Sequence, residues 1–171
     1  MTLTTHAITG AALASLTPNQ PLVGFAVGFV SHFVLDAIPH WDYPLASQKR
    51  DGDNPLNDDI VINKDFVKDL FIIGFDGVIG LLLACLFYIY YLKYSALVIL
   101  CGIVGATLPD ALQFIQIKFK HEPFNTLRKF HIVWIHSKTR LDSRPFLGIL
   151  LQIIIIGFVM WLANFMTNAV Y

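Results

Sequence analysis

Residues 70–92 read LFIIGFDGVIGLLLACLFYIYYL, 23 residues in which Asp76 is the one charge. A helix needs about 20 mostly apolar residues to cross a bilayer, so this stretch reads as a membrane span. The next apolar run, residues 94–117, has 24 residues and again one charge, Asp110. Residues 146–166 carry no charge at all, with Gln152 and Asn164 as their amide side chains. Pro21–Ile38 is shorter, 18 residues, with His32 and Asp36 towards its end, and reads as a fourth span. Leu3–Leu16 would reach only about 21 Å as a helix, which suits a short packed helix or a re-entrant segment. The expected fold is an all-α polytopic membrane bundle of four to five helices, at about 3–16, 21–38, 67–92, 94–117 and 146–168. These form one domain over residues 1–171.

Composition agrees. Of 171 residues, 56% are hydrophobic and 14% charged, against roughly 25% charged in a soluble domain. That argues against a soluble globular protein, a disordered chain and a nucleic-acid binder. Cys85 and Cys101 sit in apolar runs with no CxxC partner, as small buried residues do. The first residues carry no Lys or Arg ahead of the apolar run, so the segment reads as part of the mature chain and not a signal peptide.

Two polar stretches remain, His40–Phe66 and Lys118–Arg144. Alternating crossings put both on one side of the membrane, with eleven basic residues from Lys49 to Arg144, and leave Lys93 alone on the other. Basic residues gather on the cytoplasmic side, so both polar loops are expected there, in a bacterial inner membrane.

The same threading gathers the histidines and the intramembrane acids. Carboxylates at Asp36, Asp76 and Asp110 would cost several kcal/mol in hydrocarbon without a partner, and no Lys or Arg lies within these apolar runs. Histidines and a divalent cation are the remaining compensation. The densest motif is residues 31–42, SHFVLDAIPHWD. His32 and Asp36 are four apart, on one helix face. Pro39 should end the helix and let His40 and Asp42 turn towards the same ion or a second one. The expected ligands are His6, His32, Asp36, His40, Asp42, Asp76, Asp110, His131 and His136. Mixed His and Asp ligation suits Zn, with Mn or Fe(II) as alternatives, in one, two or more ions. Asp76 or Asp110 would serve as general base. Arg128, Lys138 and Arg140, near the paired histidines, would hold an anionic headgroup, or else set topology and meet anionic lipid.

These residues resemble the membrane-bound metal-dependent hydrolases of the YdjM type. His6 with Gly10, Leu108-Pro109-Asp110, His131 with His136-Ser137, and the 31–42 motif match that family's pattern in order. Leu112 and Ile132-Val133 depart from it. The resemblance implies a hydrolase. His32, Asp36, Pro39 and His40 are also locally similar to a motif of zinc-dependent phospholipase C, which implies phosphoester chemistry at a multinuclear site. The expected function is hydrolysis of a lipid-linked phosphoester, with membrane lipid as solvent and substrate. Ion transport and a structural metal are the alternatives. Glycines 74, 77 and 80 suit close helix approach within the monomer or in a homo-oligomer.

Overall fold

A computed structural model describes residues 1–139 and 141–170. It is an all-α bundle: α1 (Leu3–Ala14), α2 (Pro21–Asp36), α3 (Lys64–Ala84), α4 (Ala96–Lys118), α5 (Phe124–Arg128) and α6 (Pro145–Val170). Three of these, α3 with its continuation to Tyr91, α4, and α6, are long and apolar enough to cross a membrane. That fits a membrane protein. The second helix is apolar but has 16 residues, and α1 has 12.

Local chemistry sets the ends. Pro21 begins α2, where its missing N–H costs nothing. Asn63 caps α3, its Oδ1 accepting from the N–H groups of Asp65 and Phe66 at 2.9 and 3.1 Å. The helix then widens into a π-helical stretch, Cys85–Tyr91. The second helix stops at Asp36, three residues ahead of Pro39. Pro109, by contrast, lies inside α4, which continues nine residues beyond it.

Small residues let the first, second and fourth helices approach closely. Gly24 and Gly28 of α2 face α4, and a Cβ at Gly28 would overlap the Gly102 carbonyl. A Cβ at Gly10 of α1 would lie 2.5 Å from both the Gly102 oxygen and the Ala106 Cβ. Helices in lipid gain their contact energy from such close packing. Gly80 sits equally tightly on Thr4 and Ala7, so it serves contact within the monomer, whereas Gly74 has nothing within 4 Å. The core is mainly Ala and Ile: Ala7, Ile8, Ala11, Ala84, Ile99 and Ile103.

The two polar stretches meet on one face of the bundle. In the first, β1 (Gln48–Lys49) pairs antiparallel with β2 (Asp59–Ile60). Asp69 of α3 fastens this hairpin, accepting from the N–H groups of Ala46 and Ser47 at 3.2 and 2.7 Å. Asp58 belongs to the hairpin interior and is buried, accepting from Asp51 N–H at 2.8 Å. The second stretch is not the loop its polarity suggests. It holds α5 and a π-helical turn, Lys129–Ile135, that exposes Phe130, Val133 and Trp134 and turns His131 inward. Beyond it, Ser137 and Leu141 N–H groups donate to the carbonyls of Asp36 and His40.

Candidate metal centre

Asp36 is the hub. It ends α2, 1% exposed, and its carboxylate gathers side chains from α1, α2, the following turn and the π-helical turn. His6 Nε2 lies 3.3 Å from Asp36 Oδ1. His32 Nε2 lies 3.2 Å from Oδ2, and His131 Nε2 2.9 Å from Oδ2. Asp110 completes the ring from α4: its Oδ1 is 3.7 Å from His32 Nε2 and its Oδ2 4.0 Å from His6 Nε2. Close packing of small residues one turn away makes this convergence feasible. Gly10 follows His6 by four residues, Gly28 precedes His32 by four, and Ala106 precedes Asp110 by four.

The ring nitrogens are sorted by their second partners. His32 Nδ1 lies 2.9 Å from the Ala106 carbonyl, and His40 Nδ1 2.7 Å from the Ile38 carbonyl. A carbonyl only accepts, so each Nδ1 carries the proton and each Nε2 presents a lone pair. His131 differs. The Gln113 amide nitrogen bridges Asp110 Oδ1 at 3.3 Å and His131 Nδ1 at 3.2 Å. The His131 proton is therefore on Nε2, 2.9 Å from Asp36 Oδ2 and 3.3 Å from His32 Nε2. His131 orients the carboxylate, while His6 and His32 face it with ligand atoms.

His6 is fully buried, yet neither of its ring nitrogens has a hydrogen-bond partner. An imidazole so placed costs free energy unless something else satisfies it. A cation fits the arrangement. With metal–ligand bonds of about 2.0–2.2 Å, a tetrahedral ion separates its ligands by roughly 3.3–3.6 Å. His6 and His32 lie 3.3 and 3.2 Å from Asp36, on its Oδ1 and Oδ2 respectively. Buried His6, His32 and Asp36 thus form one group able to hold a metal ion, and Asp36, His40 and His136 form a second that shares the hub. Burial, reinforced by the nearby Met1 amine, pushes the His40 imidazole down to about 4, keeping it neutral and able to ligate. Burial, with Asp110 and Asp36 adding repulsion, pushes the Asp42 carboxyl up to about 7. Positive charge already stands at the hub, where the buried Met1 ammonium lies 2.9 Å from Asp36 Oδ1.

The remaining sequence candidates lie elsewhere. The Asp76 carboxylate accepts the Thr4 N–H at 3.2 Å, a partner for the orphan donors at the start of α1, and belongs to neither ligand group. Asp42 lines a cavity beside the centre. Arg128, expected at a headgroup, is 1% exposed, and its guanidinium donates to the carbonyls of Leu56 and Pro55 at 2.7 and 2.6 Å. Lys138 is exposed and outside the cavity lining. Arg140 lies outside the described residues. Sequence reasoning missed Gln113 and Asp69. Gln113 was signalled by its place three residues after Asp110, on the same helix face.

No family model, curated protein or solved structure matches this chain.

Proposed function

We propose that the chain is a membrane-embedded, metal-dependent hydrolase of a lipid-linked phosphoester, with its centre facing the cytoplasm from a bacterial inner membrane. One observation carries the reading: buried His6, His32 and Asp36 form one group able to hold a metal ion, with Asp110 of α4 3.7 Å from His32 Nε2 and lining the adjoining cavity. A bound divalent ion there would lower the pKa of a water and polarise a phosphoryl oxygen. The chain supplies the rest. His131 and Gln113 hold Asp36 and Asp110 in place. The Asp110 side chain, 27% exposed, reaches both centre and cavity, so it and not Asp76 is the better placed general base. The clustering of basic residues on the loop side supports the orientation.

The test is metal content and hydrolysis on purified protein. Wild type should carry stoichiometric zinc, manganese or iron and cleave p-nitrophenyl phosphate or a phospholipid. Asp110→Asn should keep metal and lose turnover. Metal-loaded wild type that leaves every phosphoester intact would refute the reading.

Near-complete burial of His6, His32 and Asp36 favours a second reading, a structural ion, since structural sites are coordinatively closed. Under it, His32→Ala would unfold the chain and Asp110→Asn would be silent. The mainly Ala and Ile core on the far side of the centre lends transport less support.

A further inference from the structure

A cavity of about 540 Å³ adjoins the centre, within the ~300–1,000 Å³ range of ligand sites. Its lining mixes two chemistries. Polar groups come from Asp36, Asp42, Asp69, Asp110, His136 and Arg50. Apolar groups come from Leu70 and Ile73 of α3 and from Phe114 and Ile117 of α4. Leu70 and Ala111 are exposed. Phe66 and Phe114 stack, with centroids 5.5 Å apart.

Among the described residues Arg50 is the one guanidinium in this lining. Gln48 Oε1 accepts from its Nε at 3.2 Å, and Asp142 Oδ2 lies 3.7 Å from its Nη1. These contacts engage Nε and Nη1, and the side chain is 46% exposed. A planar fork of N–H donors matches the oxygens of a phosphate.

We infer that this cavity seats a single-chain phosphate amphiphile. Its phosphate lies between the His/Asp centre and Arg50, and its alkyl chain lies along Leu70, Ile73 and Phe114 towards the lipid. Arg50 then does what the sequence assigned to Arg128. The inference rests on the hydrolase reading, because the carboxylates of this lining need a cation before an anion will settle there.

The experiment is equilibrium binding of labelled dodecyl phosphate to the full chain in phosphatidylcholine nanodiscs. Empty discs serve as the blank, inorganic phosphate as the competitor, and metal content is read on every sample. Wild type should prefer dodecyl phosphate to inorganic phosphate by at least tenfold. Arg50→Gln should weaken binding at least tenfold and Arg50→Lys less. Ile73→Trp, which enlarges an apolar lining residue, should abolish the preference. All three variants should keep their metal. Equal affinity for the two phosphates, or full binding by Arg50→Gln or Ile73→Trp, overturns the inference. Metal-loaded wild type that binds no dodecyl phosphate overturns it alone. Wild type without metal removes the hydrolase reading and this inference with it.

Discussion

Replacing Gly10 with alanine tests the geometry of the centre without touching a ligand. The added Cβ would lie 2.5 Å from the Gly102 oxygen and from the Ala106 Cβ, where ordinary contact begins at 3.4 Å. The first and fourth helices would have to separate by about 0.9 Å, since packed interiors have no slack to absorb the overlap. Overpacking of this kind costs about 1–3 kcal/mol. Alanine in place of glycine returns about 1 kcal/mol through helix propensity. The net loss of stability is therefore about 0–2 kcal/mol, and the protein should still fold. The centre should suffer more. His6 lies one turn from Gly10 and would move with it, from its present 3.3 Å from Asp36 Oδ1, and metal sites tolerate only about 0.2 Å. Disturbing the groups that merely orient ligands costs about 10–100-fold in affinity, and displacing a ligand should cost no less. Competition against a chelating fluorophore reads the affinity, and thermal unfolding in detergent reads the stability. Gly74→Ala, with nothing within 4 Å, is the control and should change neither for the worse. A folded Gly10→Ala protein that binds metal within twofold of wild type would refute the proposed coupling of helix spacing to coordination.

Chelation should lower the melting temperature of wild type. A ligand at 100 times its Kd contributes about 2.7 kcal/mol to the folded state, and that contribution should vanish in Asp36→Ala. Asp69→Ala removes the acceptor of two backbone N–H groups, at about 1–3 kcal/mol for each that stays buried. Limited proteolysis should then cut within residues 45–60, while α3 itself stays intact. Arg128→Met should likewise expose the Pro55–Asn57 turn to protease yet leave metal content unchanged. Loss of metal in that variant would place Arg128 closer to the chemistry than its hydrogen bonds do.

The long helices could be read from the sequence because a bilayer imposes a length, and residues 70–92 and 94–117 meet it with one charge each. The hub could be read for the opposite reason. Asp36 and Asp110 break a rule of apolar segments, and such breaks demand a partner. Roles that depend on which way a side chain turns were not legible. Asp76 looked like a ligand because it is intramembrane, yet it serves the start of a neighbouring helix. Arg128 looked like a headgroup contact because it is basic and near histidines, yet backbone carbonyls 72 and 73 residues away occupy it. The π-helical turn that delivers His131 was hidden in a stretch too short and too polar to show a period. Arg50 carried no signal, since only the folded hairpin brings it to the cavity.

Gln152 of the last helix accepts from Thr2 and Thr5 at 3.1 and 2.9 Å, and Asp76 of the third takes Thr4. Synthesis delivers Gln152 late: Asp36 reaches His6 and Asp76 reaches Thr4 much sooner, while the Thr2 and Thr5 hydroxyls wait for residue 152. Insertion and assembly are therefore separate events in time, and a nascent chain stalled before residue 152 should leave its first helix loose enough for a membrane chaperone or protease to seize.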